Sequence, residues 1–193
     1  MAYGFSVEVQ GKYALFSRPE LKYEKISYDC ITPCAAKGIL ESILWKPAIN
    51  YVVDRIHVIN KINFIELTKD ELSHSNDCAL ALSDVRYVID AHFEMTEKAG
   101  KSDCEAKFYA MIMRRLRNGQ CFRSPYLGSR DFPLSFSLCQ KNIRSFYSGQ
   151  KCRDLGLMLY DMDYSNDGQP TPMFFRACME NGIIHLDNCD IYR

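Results

Sequence analysis

The chain has 193 residues, 47% of them hydrophobic, and its 24 basic side chains balance 24 acidic ones. That length suits one domain, or one domain with a small appended subdomain, and the apolar content supplies a sizeable core, so disorder is excluded as the default. No run of about 18 apolar residues argues for a membrane span, and Met1-Ala2-Tyr3-Gly4-Phe5 lacks the basic start and apolar stretch of a secretory signal. A cytoplasmic protein away from membranes is the expectation.

Phe5 to Phe16 alternates in part and reads as an opening strand, with Gly11 a candidate bulge. Thr32-Pro33 offers an N-cap followed by proline in the first helical turn, and Ala35, Ile39, Leu40 and Ile43 follow at helical spacing until Lys46-Pro47 stops the helix. Residues 51 to 67, rich in Val and Ile, read as one or two strands. Residues 68 to 83 are polar and read as a loop, and Val85 to Met95 as another strand. Asp103 to Asn118 is a second helix closed by Gly119, with Ala106, Ala110, Met113 and Leu116 as its apolar stripe. Lys107, Arg114 and Arg117 fall on a different face. Phe132 to Leu138, Leu157 to Tyr164 and Met173 to Met179 read as strands, and Asn181-Gly182 as a hairpin turn into Ile183 to Leu186.

This order predicts an α+β fold with a ferredoxin-like βαββαβ core over residues 1–130 and a small C-terminal β-sheet extension of the same domain over 131–193. No repeat of fixed period and no low-complexity tract is present.

The zero net charge conceals a division. Residues 101 to 153 carry eleven Lys and Arg against three Asp and Glu, while the rest of the chain is acidic by the same margin. A polyanion is the natural partner of such a segment. Lys107, Arg114, Arg115, Arg117, Arg123 and Arg130 are interleaved there with Tyr109, Phe122 and Tyr126. Guanidinium forks suit phosphates and aromatic faces stack unpaired bases. Arg18 and Lys22, after the first strand, join the candidate RNA-binding set. Pro125-Tyr126-Leu127-Gly128 supplies a turn where a backbone approaches a ligand closely.

Other polar groups carry weaker signals. The nine cysteines are odd in number and irregular in spacing, and the close pair Cys30 and Cys34 has no second pair to complete a zinc site, so reduced cysteines filling core positions are expected. His57 and His92 read as sheet histidines rather than catalysts. His74 and His185 carry no supporting pattern. Asp161 and Asp163 alternate on a strand, a spacing common by chance, and Trp45 reads as a packing residue. The serine-elbow, Walker and dinucleotide motifs are missing. Metal-independent RNA cleavage stays open; it needs a base for the 2′-hydroxyl proton and a cation for charge building on the phosphate.

Several phrases closely resemble the Cas five protein of type I-C (Dvulg subtype) CRISPR systems, in the repeat-associated (RAMP) superfamily. They are Tyr13-Ala-Leu-Phe-Ser-Arg-Pro-Glu20, Thr32-Pro-Cys-Ala-Ala-Lys-Gly-Ile-Leu-Glu-Ser-Ile43, Trp45-Lys-Pro47, Arg55-Ile-His-Val58 and Tyr87-Val-Ile-Asp-Ala-His-Phe-Glu94. Gly119-Gln-Cys-Phe122, Pro125-Tyr-Leu-Gly-Ser-Arg-Asp-Phe132, Asp154-Leu-Gly-Leu-Met-Leu159 and Thr171-Pro-Met-Phe-Phe175 follow in family order. The resemblance implies a place at the foot of the Cascade complex, holding the 5′ handle of CRISPR RNA beside the backbone subunit and the large subunit. It also implies precursor RNA cleavage at the repeat hairpin, without metal or other cofactor, leaving a cyclic phosphate.

Carried over by position, the catalytic pattern departs from the family. An aromatic residue or histidine is expected where Leu44 stands, and Lys-His where Lys107-Phe108 stands. The lysine survives, but leucine and phenylalanine cannot exchange a proton. On a helix Tyr109 points about 100° away from position 108. Whether His92 faces the site is open at this level, and the segment 68–83 is shorter than usual in the family. Three readings therefore stand: a structural RNA-binding Cascade subunit, an active endoribonuclease using Lys107 with an unorthodox base, and a small ferredoxin-like protein-interaction module.

Overall fold

The computed structural model describes residues 3–21, 23–68, 72, 78–139, 142–165, 170–187 and 189–193. Strand β1 (Phe5–Ala14) turns Phe5, Val7 and Val9 inward and Ser6, Glu8 and Gln10 outward, the period-two pattern of a sheet with one covered face. It lies antiparallel between β5 (Ala79–Met95) and β6 (Ser135–Leu138). The other edge of β5 carries β3 (Ile49–Val58), also antiparallel. Near its start β5 also pairs with β4 (Phe64–Leu67) and, in parallel, with the short β2 (Lys25–Ile26).

Beyond β3 the sheet continues through β9 (Ile183–His185) to β8 (Thr171–Glu180), which also pairs with β7 (Arg153–Asp163) and β10 (Ile191–Tyr192). The 131–193 stretch is thus divided, β6 joining β1 and the later strands forming the far end of the sheet. Asn181 (φ 53°) and Gly182 (φ 85°) both occupy the left-handed region at the β8–β9 turn, as an Asn-Gly hairpin requires.

Helix α1 (Pro33–Ile43) begins as the sequence indicates, with the Thr32 hydroxyl accepting from the Ala35 N–H at 3.1 Å. It buries Ala36, Ile39, Leu40 and Ile43. Helix α2 (Glu105–Asn118) ends on Gly119 in the left-handed conformation (φ 62°). Its buried line is Phe108, Ile112 and Leu116, whereas Ala106 and Ala110 are exposed. The expected stripe is therefore displaced: spacing alone admits either set, and the bulkier side chains win the core because they remove more apolar area from water. Both helices contribute to the same core as Val7, Val9, Ile56, Ile89, Ala91 and Phe93, so they cover one face of the sheet. No helix among the described residues is long and apolar enough to cross a membrane.

Three local expectations change. Strand β5 starts at Ala79, inside the stretch read as a loop, because β4 pairs with Ala79 to Leu82 on one side while β2 and the end of β1 pair on the other, and Ala79, Ala81 and Leu82 are buried. Residues 69–71 and 73–77 of that stretch, including His74, lie outside the described residues. Gly11 is no bulge, since the β1–β5 register keeps one offset from Gln10 to Tyr13; a Cβ there would press on the end of the Leu127 side chain. The cysteines are not mainly core residues: Cys30 is buried, but Cys78, Cys104 and Cys121 are exposed. Cys152 and Cys178 form a disulfide, their Cα atoms 6.2 Å apart where β7 approaches β8. Glu180 lies beside them, but the bonded sulfurs present no thiolate for a metal.

The face of the sheet away from the helices carries a ladder of cross-strand pairs. Arg86 bonds Glu8 at 2.6 Å, Asp54 accepts from His92 at 2.9 Å across the β3 bulge, and Asp90 meets both His57 (2.8 Å) and Ser6 (2.6 Å). Burial raises the Asp90 pKa, but the hydrogen bonds from His57 and Ser6 and the charges of His57 and Arg55 outweigh it and hold the carboxyl below its ordinary value. A lowered folded pKa contributes stability that is complete above the unfolded carboxyl value and is lost as pH falls through the folded one. Urea midpoints measured across the acid range should therefore drop below the ordinary aspartate pKa in the wild type. Asp90→Asn should flatten that part of the profile; an unaltered acid limb would show that Asp90 does not carry it.

Candidate nucleic-acid interface

The groove of interest follows the outer side of α1. At one end it is lined by Leu15, Phe16, Ala35, Gly38, Tyr126 and Gly128, at the other by Glu41, Trp45, Phe122 and Arg123, and the two hollows share Gly38 and Ser42. Small α1 side chains keep its floor low. The Pro125–Gly128 turn forms one wall because Leu127 is fully buried and its carbonyl accepts from the Leu15 N–H at 3.0 Å.

The second end is built where the chain leaves α2. Helix α1 ends with carbonyls that have no partner within the helix. The Phe122 N–H donates to Ser42 (2.9 Å) and Ile43 (3.2 Å), the Arg123 N–H donates to Ser42 (3.0 Å), and the Arg115 guanidinium reaches the Ile43 carbonyl. Main-chain pairing thereby holds the Phe122 and Arg123 side chains beside Trp45. Trp45 is 55% exposed and Phe122 58%, so Trp45 is not the packing residue expected. The reason is local: α1 is capped at Leu44, which takes the buried position, and the next residue turns outward.

The basic candidates divide by helical phase. Lys107, Arg114 and Arg117 stand exposed on the outer side of α2, where Arg114 and Arg117 line a shallow hollow with Tyr109, Ala110 and Met113. Lys107 pairs with Asp103 at 2.9 Å, and Lys46 lies near enough for its charge to lower the Asp103 pKa along with the larger effect of Lys107. Arg123 lies over the Phe122 ring at 5.4 Å, and Tyr126 and Arg130 are exposed on the glycine turn and just beyond it. Arg115 is different: its guanidinium ties α2 to α1. Arg18 is held over the Tyr28 ring at 4.6 Å and ion-paired to Asp29 at 3.5 Å. Lys22 lies outside the described residues.

The expected catalytic positions are unsuited to proton transfer. Leu44 is 1% exposed and Phe108 2%. The Tyr51 hydroxyl donates to the Leu44 carbonyl at 2.7 Å, and burial pushes its pKa far up. Tyr109 is half-buried against the Tyr3 ring at 5.0 Å. His92 alternates with the core residues Ala91 and Phe93 and bonds Asp54, so it occupies the sheet face opposite α2 and Lys107. Asp161 and Asp163 are occupied by Lys37 (2.9 Å) and by Ser165 (2.6 Å). Sequence reasoning missed Glu41, whose neighbours come from a remote segment, and undervalued Trp45, although its place just past a predicted helix end was a usable signal.

A mainly antiparallel sheet with two helices on one face, and guanidinium and aromatic groups exposed along them, defines an α+β protein whose surface suits single-stranded nucleic acid. The profile of the CRISPR-associated protein family Cas_Cas5 matches residues 5–187, and the chain belongs to that family, as a Cas5 protein of type I-C. It is similar to a protein of Mannheimia succiniciproducens named CRISPR pre-crRNA endoribonuclease Cas5d, with 39% identity over 96% of each chain. It also resembles the like-named protein of Thermus thermophilus, 36% identical over 93% of this chain and 90% of that one. Among solved structures, one described as a CRISPR-associated protein superposes with a TM-score of 0.82 at 28% identity, covering 98% of this chain and 96% of the other. SMU1763c of Streptococcus mutans gives 0.80 at 26% identity, covering 98% and 97%.

Proposed function

We propose that the chain is a cytoplasmic type I-C Cascade subunit that binds the 5′ handle of CRISPR RNA, beside the backbone and large subunits, and takes part in processing the precursor. The observation that carries this reading is the α1 groove. It offers exposed aromatic faces at Trp45, Phe122 and Tyr126, with Arg123 within it, and Lys107, Arg114 and Arg117 stand exposed on α2, the helix that Arg115 ties to the end of α1. Bases stack on the rings and phosphates meet the cations. We read residues 1–130, completed by β6, as a ferredoxin-like core and the later strands as its extension. The strand order β3-β5-β1-β6, antiparallel throughout, supports this, with α1 between β1 and β3 and α2 between β5 and β6.

In metal-independent cleavage a base removes the 2′-hydroxyl proton, that oxygen attacks the adjacent phosphorus, and the 5′-oxygen leaves with a proton, giving a cyclic phosphate. On this reading Lys107, exposed on α2 beside Asp103, supplies the cation that offsets charge on the phosphate. A second reading, in which RNA is held but not cut, is favoured by the burial of Leu44 and Phe108. Incubating the isolated protein and its Lys107→Ala variant with repeat hairpin RNA and chelator tests both. Products from the wild type, reduced about a hundredfold or more in the variant, are the expected result. Salt-sensitive binding without products would make the chain a handle-holding subunit alone, and no RNA binding would favour the protein-interaction module.

A further inference from the structure

Glu41 is a half-buried carboxylate with no hydrogen bond and no ion pair among the described residues. Its nearest cation on α1, Lys37, is taken up by Asp161 at 2.9 Å. Burial raises the Glu41 pKa, Lys37 opposes that rise, and Asp161 adds to it. A carboxylate withdrawn from water is costly unless its acceptors are met. This one lines a cavity of about 420 Å³ together with Gly38, Ser42, Trp45, Phe122 and Arg123. Neither Trp45 nor Phe122 packs against another ring among the described residues, and both are more than half exposed.

The groups complement one kind of ligand. The exposed Trp45 ring, with the Phe122 ring that Arg123 overlies beside it, suits a flat aromatic guest, two acceptor oxygens suit a guest with two adjacent N–H donors, and the Arg123 guanidinium suits an attached phosphate. Guanine alone among the RNA bases presents two adjacent donors, N1–H and the N2 amino group, on its Watson–Crick edge. We infer that this cavity is a specificity pocket for one unpaired guanine of the bound RNA, stacked on Trp45 or Phe122, read by Glu41 and held through its phosphate by Arg123. The inference rests on the RNA-binding reading above and adds a base preference to it. An acidic side chain is the discriminating element: phosphate binding alone would disfavour a carboxylate here, whereas base reading requires one.

Trp45 is the single tryptophan of the chain, so intrinsic fluorescence reports on the pocket directly. The full chain is titrated with oligouridylates carrying one central guanosine, inosine or adenosine. Guanosine should quench Trp45 and bind about tenfold or more tighter than adenosine, which leaves the carboxylate unpaired; inosine, lacking the N2 amino group, should fall between. Glu41→Gln, isosteric and confirmed folded by its urea midpoint, should bring the guanosine-to-adenosine ratio near one. Phe122→Ala should weaken both about equally, since stacking is indifferent to the base. Equal affinity for guanosine and adenosine, or an unchanged ratio in Glu41→Gln, would overturn the inference. So would salt-sensitive binding of repeat-derived RNA, seen by filter retention, without any change at Trp45; in that case the RNA-binding reading survives. Failure to bind any of these RNAs would remove both.

Discussion

Gly128→Ala is expected to lower the stability of the protein by roughly 3 kcal/mol, at the upper end of ordinary single substitutions, and to weaken RNA binding with it. Two costs coincide there. Gly128 has φ 79°, where an L side chain costs about 1–2 kcal/mol. In addition, a Cβ would run into the carbonyl of Leu15, which is main chain and cannot swing aside, and would meet the Phe16 ring at 3.2 Å. The turn could relieve the overlap only by pulling away from β1 and loosening the Leu127–Leu15 hydrogen bond that builds the groove wall. Gly119→Ala is the natural control: its φ is 62°, yet nothing lies within 4 Å of a Cβ there. It should show the conformational cost alone, about 1–2 kcal/mol. Urea unfolding of both variants separates the contributions, and equal losses would mean that close approach at Gly128 is unimportant.

The adjacent arginines of α2 should separate stability from binding. Arg115→Ala removes a charged donor from the Ile43 carbonyl at the junction of the helices, and a loss of about 2 kcal/mol is expected. The slope of RNA affinity against salt should hardly change. Replacing Arg114 and Arg117 together by alanine should do the reverse. Each phosphate contact on a single strand contributes about 0.7 to the logarithmic salt slope, so two lost contacts flatten it by about 1.4 and reduce affinity about twenty-fivefold at 0.1 M salt relative to 1 M. Titrations at four salt concentrations, beside urea midpoints, measure both quantities. An unchanged slope in the double variant, with the fold intact, would move the RNA surface off this face of α2.

Features that depend only on neighbours along the chain are legible in the sequence. Thr32-Pro33 starts α1, Gly119 ends α2 and Asn181-Gly182 turns the last hairpin, each because the local backbone demands those residues. The surplus of cations in the 101–153 segment, and the ordered phrases shared with the family, are equally open to reading.

Tertiary structure decided what sequence spacing left degenerate. Ala79 to Leu82 belongs to a strand because partners from β1, β2 and β4 pair with it, contacts invisible within a short window. His92 could have faced either side of its strand; the neighbouring Ala91 and Phe93 take the core, and the imidazole goes to Asp54 on the far face from Lys107. Arg114, Arg115 and Arg117 look alike in sequence, yet one helical step of about 100° turns Arg115 toward Ile43 and leaves the others in water. The same holds for Glu41. The sequence by itself determined the family, the local starts and stops, and the sign of the charge. Which side chains meet one another was decided only when remote segments packed together, because hydrogen bonds and ring contacts act over a few ångströms of space regardless of separation along the chain.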